Sequence, residues 1–248
     1  MSREEISRHC REINRCNQRG GRMLSVVDLI EAGTISRDLA AYSLAAIGSG
    51  ASFLVGAVPG GAGKTTVMCA LLNFVPPDVQ LSAADSAATI KQGARNTAVR
   101  RCYICHEIGR GQYYAYLWGE ELQVYFELPT AGHMLATNLH ADTYRQARSQ
   151  IVDECGVAPQ ALRRMNLMYF LSVRGGQRRI ESVHESDGTG EHKLVYVAGT
   201  GTTPAKNSTL VTARQLESAR RSIDRVIRSE ARTIEEVRSA VLENQPEA

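Results

Sequence analysis

Residues 51–66 read ASFLVGAVPGGAGKTT, and this stretch decides the fold. Its first half is an apolar run that predicts a buried strand, and residues 65–75 predict a helix that stops at Pro76 and Pro77. A glycine-rich turn between a strand and a helix offers free backbone N–H groups and the positive end of the helix dipole, which together bind phosphate. The order of strand, loop and helix therefore predicts a phosphate-binding loop.

The atoms of the loop residues suggest their roles. Small residues let backbone amides surround a β-phosphate, Lys64 spans the β- and γ-phosphates, and the Thr65 hydroxyl is suited to Mg²⁺. Val58 stands where the pattern GxxxxGK[ST] has its first glycine. An ordinary strand-to-helix turn is the alternative, but it gives no reason for Lys-Thr-Thr to open the helix. The predicted nucleotide-binding residues are Pro59, Gly60, Gly61, Ala62, Gly63, Lys64, Thr65 and Thr66.

Composition limits the class of protein. The 248 residues match one large α/β domain, and ordinary hydrophobic and charged contents exclude a disordered or fibrous chain. Lys and Arg number 29 against 26 Asp and Glu, too small an excess to predict direct nucleic-acid binding. Six dispersed cysteines and a charged beginning, MSREEISRHC, predict reduced thiols and a cytoplasmic location.

Hydrophobic patterning divides the chain into three parts. Residues 1–24 predict an amphipathic arm, residues 25–205 an α/β domain, and residues 206–248 a helical C-terminal extension. Within the middle part, strands are expected at 79–84, 112–119 and 133–140, a helix at 141–156, and a hairpin around Gly175-Gly176; residues 98–108 are a further strand candidate.

Three segments, taken together with the loop, resemble the traffic ATPases of type II and type IV secretion and of pilus assembly, especially their archaeal and tight-adherence branches. Residues 26–78 are similar throughout to that family's approach to its phosphate loop, including the Pro-Pro-Asp turn. AGHMLATNLHADT, residues 131–143, resembles its histidine box. LSVRGGQRRIESVHE, residues 171–185, resembles the strand pair that follows, with an arginine-bearing turn before a Glu.

The resemblance implies a RecA-like P-loop NTPase core with a mostly parallel twisted sheet flanked by helices. It implies a motor subunit that binds ATP with Mg²⁺ and hydrolyses it, within a homo-hexamer or together with a related secretion ATPase. The implied partner is a polytopic membrane protein that docks the motor at the inner face of the cytoplasmic membrane. Family members usually carry an N-terminal domain that supplies arginines in trans; residues 1–24 are much shorter, so weak activity is expected.

Two acidic groups are expected from the resemblance. Asp85, after the second strand, corresponds to one carboxylate of a Glu-Asp pair and would hold a metal-bound water. The second nucleotide motif is an apolar strand that ends in Gly-Glu, and QYYAYLWGEE ends in Gly119-Glu120, so Glu120 is predicted to orient Mg²⁺ or the attacking water. Glu107, in CYICHEIGRG, is the competing candidate.

Two histidines lie seven residues apart at opposite ends of one predicted strand. His133 and His140 therefore cannot form a compact metal site by themselves, and only one of them can share an edge with the phosphate loop. The resemblance implies that one of them faces the γ-phosphate and reports hydrolysis. A structural histidine at a strand end is the alternative.

Two further groups leave alternatives open. Cys102-x-x-Cys105 has the spacing of a zinc half-site, which would need Cys10 and Cys16 to complete it; buried reduced cysteines are the alternative. Paired arginines are usually solvated, but Arg178 or Arg179 is suited to reach a neighbouring subunit's phosphate.

Three functions remain in competition at this point. A hydrolysing motor subunit is the first. A degenerate regulatory subunit that binds nucleotide with little or no turnover is the second, and the departures at Val58, Ser86 and Trp118 favour it. A small-substrate P-loop phosphotransferase is the third, although no lid with paired arginines is evident.

Overall fold

A computed structural model describes residues 1–17, 20–111 and 113–244. Its α-helices are α1 (Arg3–Arg15), α2 (Val26–Glu31), α3 (Arg37–Gly48), α4 (Lys64–Leu72), α5 (Ala87–Arg95), α6 (Glu120–Glu127), α7 (Tyr144–Arg148), α8 (Pro159–Arg163), α9 (Pro204–Asn207), α10 (Ala213–Arg228) and α11 (Ile234–Glu243). Its strands are β1 (Phe53–Gly56), β2 (Gln80–Ala83), β3 (Arg101–Ile108), β4 (Tyr116–Leu117), β5 (Met134–Leu139), β6 (Leu167–Arg174), β7 (Gln177–Glu185) and β8 (Lys193–Val197). A 3₁₀ turn covers Leu128–Ala131, and a π-helical turn, Ser149–Glu154, continues α7.

The strands form one sheet in the order β2-β3-β5-β1-β6-β7-β8, with β4 paired to the carboxyl end of β3. All pairs from β2 to β6 are parallel, whereas β7 and β8 add antiparallel strands at one side. Parallel strands place their carboxyl ends at one edge of the sheet, which is where ligands bind in open α/β sheets. The ends of β1, β3 and β5 therefore meet beside the phosphate loop.

Helices cover both faces of the sheet. Phe53 and Val55 of β1 belong to a core with α1, α2, α3, α4, α10 and α11, whereas Leu54 belongs to a second core with α5, α6 and α8. This division follows from the alternation of side chains along a strand. The prediction of an α/β protein with a mostly parallel sheet between helices is confirmed.

Local sequence explains the close junction between β1 and the loop. All four residues of β1 are buried, as a central parallel strand requires. A Cβ atom on Gly56 would lie 2.5 Å from the carbonyl oxygen of Ala141 and 2.8 Å from the Phe170 ring. Only glycine therefore lets the end of β1 pass this close to its neighbours.

Both ends of the chain complete the face that carries α4. On α1, Cys10 and Ile13 are fully buried, and the helix packs against α11 and β2. Arg238 of α11 is also fully buried and donates from Nη1 to the carbonyls of Asn73 and Val75, at 2.7 and 2.6 Å, just after α4 ends. A cation at a helix C-terminus is electrostatically favourable. The arm and the extension thus share one core with the phosphate-loop helix.

Several predicted elements differ from the structure. The aromatic run at 112–119 pairs only through Tyr116–Leu117, and residue 112 lies outside the described residues. The segment between β2 and β3 contains a helix, α5, that the sequence did not predict. The domain boundaries after residues 24 and 205 stay predictions, and residues 18–19 and 245–248 of the arm and the extension are outside the described ranges.

Candidate functional site

The phosphate loop, residues 58–63, connects β1 to α4. Gly61 and Gly63 have φ values of +81° and +94°, in the left-handed region that favours glycine. Gly63 is the N-cap of α4, and Lys64 is its first residue. Ala62 donates to the Pro59 carbonyl at 3.2 Å, which closes a turn inside the loop. The first turn of α4 therefore opens onto this loop, and the N-terminus of a helix is suited to bind phosphate.

Val58, which replaces a glycine of the pattern, is held by its backbone. Its N–H donates to Oδ1 of Asp142 at 2.7 Å, and its carbonyl accepts from Nδ1 of His140 at 3.1 Å. Val58 is not among the described residues with positive φ, and its side chain is 47% exposed. The valine therefore introduces neither backbone strain nor a clash. Sequence reasoning missed Asp142, although it belongs to the quoted histidine-box segment.

We expect Asp142→Ala to loosen the start of the loop. The Val58 N–H would lose its charged acceptor, and hydrogen bonds to charged groups contribute about 1.5–3 kcal/mol. Nucleotide affinity should fall by ~10-fold, as measured by titration calorimetry. Asp153→Ala is a suitable control because Asp153 is exposed and forms an ion pair with Arg148. Equal affinities in the two variants would refute this anchoring role.

Three polar side chains meet at the start of α4. Oε2 of Glu107 lies 3.6 Å from Nζ of Lys64, and Nε2 of His140 lies 3.5 Å from the same Nζ. The Glu107 and His140 atoms are 3.8 Å apart. Glu107 comes from β3, His140 follows β5, and Lys64 follows the β1 loop, so three neighbouring strand ends supply the cluster. Lys64 and Glu107 are both only 7% exposed.

Burial and charge act against each other at Glu107. Burial raises the pKa of this carboxyl, while the positive charges of Lys64 and His140 oppose the rise. Oε1 of Glu107 is buried and accepts no hydrogen bond from the part of the chain that the structure describes. The carboxylate therefore keeps a free oxygen beside the phosphate loop, which is suited to orienting a water molecule or a hydrated cation.

The donor set also fits Mg²⁺. This ion prefers oxygen ligands and takes one or two from protein, with phosphates and water completing its shell. The Thr65 hydroxyl is half-buried and makes no side-chain hydrogen bond within the described ranges. Together with the free oxygen of Glu107, it supplies the protein oxygens that Mg²⁺ beside a bound phosphate needs.

The structure favours Glu107 over Glu120 as the second acidic group, and the catalytic role of either carboxylate stays a prediction. Glu120, predicted as the catalytic and Mg²⁺-orienting carboxylate, is the first residue of α6 and makes no ion pair with the described residues. Of the aromatic residues before Glu120, only Tyr116–Leu117 form a strand, β4. This strand pairs with the end of β3 and does not lie between β3 and β1 in the sheet. Glu107, the competing candidate, lies beside Lys64. The pairing of β3 with β5 brings Glu107 to this place, whereas the apolar residues before each Glu do not distinguish the two candidates.

Asp85 lies at the same edge of the sheet but does not join the cluster. It follows β2, three strand positions from β1, a separation of about 14 Å at ordinary strand spacing. Its carboxylate is exposed and accepts from the Thr89 hydroxyl at 3.0 Å, within the first turn of α5. A role for Asp85 at a metal-bound water stays a prediction.

His133 lies at the opposite edge from the phosphate loop. It precedes β5, where its Nδ1 accepts from the Arg101 N–H at 3.2 Å and its Nε2 donates to the Gly93 carbonyl at 3.0 Å. Both ring nitrogens are thus used in the fold, which favours a structural role, and a catalytic role for His133 stays a prediction. Of the two histidines, the carboxyl end of β5 brings only His140 to Lys64.

We expect His133→Phe to destabilise the fold without a specific loss of activity. The change leaves the partly buried Arg101 N–H and the buried Gly93 carbonyl without the His133 ring, at about 1–3 kcal/mol for a fully buried group and less for the first. The melting temperature should therefore fall by several degrees, while turnover per folded molecule stays near wild type below the transition. A turnover loss without a change in melting temperature would contradict this structural role.

Within the part of the chain that the structure describes, the cysteines are not arranged as a zinc site. Cys102 and Cys105 are buried in the two different cores on opposite faces of the sheet, and burial raises the pKa of both thiols. The neighbouring Cys69 and His106 side chains lower the pKa of the Cys16 thiol against the effect of burial. Among the described residues, no group of three or more His, Cys, Asp or Glu side chains is arranged to hold a metal ion.

The fold and the loop define a class. An α/β sheet between helices, with a glycine-rich phosphate loop leading from a central parallel strand into a helix that begins with Lys64, is a P-loop NTPase fold. Within the described ranges, no helix is both long and apolar enough to cross a bilayer.

Comparisons with known proteins give a structural likeness. No protein-family model and no curated protein matches the sequence. Among solved structures, the chain is similar to the ATPase DotB of Legionella pneumophila, with 10% sequence identity and a TM-score of 0.35. The match covers 88% of this chain and 60% of the DotB chain.

Proposed function

We propose that this chain binds ATP with Mg²⁺ and hydrolyses it. The observation that carries the proposal is the 3.6 Å approach of Glu107 Oε2 to Lys64 Nζ at the foot of the phosphate loop. A buried carboxylate beside the loop lysine is the group that nucleotide hydrolysis needs for its water, and a site that only bound phosphate would gain nothing from the added negative charge.

Each residue of the site has a proposed task. Backbone N–H groups of the loop and the N-terminus of α4 bind the β-phosphate, and Lys64 offsets charge on the γ-phosphate. Thr65 and Glu107 would hold Mg²⁺, directly or through water, and the ion would supply further positive charge beside the phosphates. Water attacks the γ-phosphorus as the bond to the β–γ bridging oxygen breaks, giving ADP and phosphate. Glu107 orients this water and accepts its proton.

His140 links the site to the sheet. Because Nδ1 donates to the Val58 carbonyl and Nε2 lies 3.5 Å from Nζ of Lys64, one ring joins the start of the loop to its lysine. We propose that this ring transmits changes in the position of Lys64 to the end of β5, and that Asp142 stabilises the same junction.

The biological role we propose is that of a motor subunit in a secretion or pilus-assembly machine. It rests on the similarity of residues 26–78, 131–143 and 171–185 to traffic ATPases. In this role the chain works in the cytoplasm as a homo-hexamer, or with a related ATPase, and docks on a polytopic membrane protein. Hydrolysis would then drive movement between subunits.

Mass in solution tests the assembly part of the proposal. We expect light scattering to show a hexamer in Mg²⁺-ATP and a smaller species without nucleotide. The Lys64→Ala variant should not respond to ATP. A monomer at all ATP concentrations would contradict a self-assembling motor, and transfer of phosphate to a small acceptor would favour a phosphotransferase.

A further inference from the structure

Arg178 contacts the phosphate loop although it lies 117 positions after Gly61 in the sequence. It lies on β7, just after the turn at Gly175-Gly176, and its Nε donates to the Gly61 carbonyl at 3.1 Å. Its Cδ would be 3.1 Å from a Cβ atom on Gly63. The β6–β7 hairpin therefore places a guanidinium against the two loop glycines that have positive φ.

Most N–H donors of the Arg178 guanidinium are available to a ligand. Of the five N–H groups of an arginine, the bond to Gly61 uses one. The other four, on Nη1 and Nη2, form no hydrogen bond or ion pair with the described part of the chain, and the side chain is exposed. A planar fork of N–H donors is well matched to phosphate oxygens.

The cation next to the loop complements Lys64. Lys64 shares its charge with Glu107, whereas Arg178 is paired with no carboxylate among the described residues. The Gly61 carbonyl repels phosphate, and Arg178 covers this partial negative charge. The N–H groups of the loop bind the inner phosphates of a nucleoside triphosphate. The charge that still needs a cation is therefore that of the γ-phosphate.

We propose that Arg178 binds the γ-phosphate of the nucleotide held by its own subunit and so makes the site favour ATP over ADP. This inference rests on the proposed nucleotide-binding function. It differs from the expectation that Arg178 or Arg179 reaches a neighbouring subunit, because the contact with Gly61 lies within one chain.

The next residue provides a matched control. Side chains alternate along a strand, so Arg179 points away from the loop. Its Nη2 would be 3.6 Å from a Cβ atom on Gly199. It also lines a cavity with Gly33 and Arg37, away from the phosphate loop. Arg178→Ala and Arg179→Ala therefore remove the same charge from adjacent positions with different surroundings.

Calorimetric titration with Mg²⁺ and either a non-hydrolysable ATP analogue or ADP tests the proposal. We expect Arg178→Ala to lower the affinity for the ATP analogue by ~10- to 100-fold and the affinity for ADP by less than ~3-fold. The hydrogen bonds that are lost are charge-assisted bonds to the γ-phosphate. Arg179→Ala should bind both ligands as wild type does. Arg178→Lys keeps the positive charge but loses the planar fork of N–H donors, so its affinity for the ATP analogue should lie between those of Arg178→Ala and wild type.

Two kinds of result would overturn the inference. Equal weakening of both nucleotides by Arg178→Ala would show that Arg178 only shapes the loop, and no weakening would show that it does not bind phosphate. In either case, binding by wild type that depends on Lys64 would leave the proposed function intact. Failure of the wild-type chain to bind either nucleotide would overturn the proposed function together with this inference. Unchanged melting temperatures would exclude misfolding as the cause.

Discussion

Lys64→Ala is expected to lower ATP affinity by ~100-fold or more, because truncating one member of a buried charge pair at a binding site costs about 2–5 kcal/mol. Two effects act in the same direction. The loop loses the ammonium group that offsets phosphate charge, and Glu107 loses its cation at 3.6 Å, so its remaining negative charge repels the nucleotide. Turnover should fall below detection.

The measurement is equilibrium binding of a fluorescent ATP analogue in the presence of Mg²⁺. Lys91→Ala is the control, because Lys91 is an exposed lysine on α5 and the variant has the same change of charge. We expect the control to bind as wild type does. ATP binding by Lys64→Ala with wild-type affinity would contradict the assignment of the phosphate loop.

Glu107→Gln is expected to separate binding from hydrolysis. Glutamine has nearly the same shape but cannot accept a proton from water and is a poor ligand for Mg²⁺, so turnover should fall by about 10²- to 10⁴-fold. Nucleotide affinity should be kept or become slightly tighter, since the change removes a negative charge next to the phosphates. Single-turnover hydrolysis of bound ATP, measured beside affinity, distinguishes the two effects.

Glu120→Gln is the matched control for this change. The substitution is chemically identical, but Glu120 begins α6, and its loss should cost only the ~0.3–1 kcal/mol of a carboxylate at a helix N-terminus. Turnover should stay near wild type. The opposite pattern, with normal hydrolysis by Glu107→Gln and none by Glu120→Gln, would show that the carboxylate beside Lys64 is not the hydrolytic one.

The position of the phosphate loop could be predicted from the sequence because the residues that determine its conformation are neighbours along the chain. The apolar run of β1, the glycines with positive φ and the Lys64 that opens α4 all lie within residues 51–66. The same locality explains the correct expectation of a hairpin at Gly175-Gly176. Secondary structure and anion binding at a helix N-terminus both follow from neighbours along the chain.

The acidic partner was not readable in this way. Glu107 and Glu120 both follow apolar stretches, and the aromatic residues of 112–119 favour a strand by local preference. The deciding fact is non-local: β3 pairs along its length with β5, which in turn pairs with β1. Strand preference depends on such context more than helix preference does.

The remaining contacts of the site join segments far apart in sequence. Asp142 reaches Val58 across 84 positions, and Arg178 reaches Gly61 across 117. Neither residue stands in a motif whose chemistry predicts that contact. The two histidines show the same limit, because their spacing places them at opposite ends of β5, while only the direction of β5 in the sheet tells which end meets the loop.

Steady-state ATP hydrolysis by the purified chain, with Mg²⁺ and with Lys64→Ala beside it, tests the central claim most directly. We predict turnover that requires Mg²⁺, disappears in Lys64→Ala and falls by about 10²-fold or more in Glu107→Gln. ATP binding that depends on Lys64 without any turnover, in nucleotide-saturated and assembled protein, would contradict the claim and would make the chain a nucleotide-binding regulatory subunit.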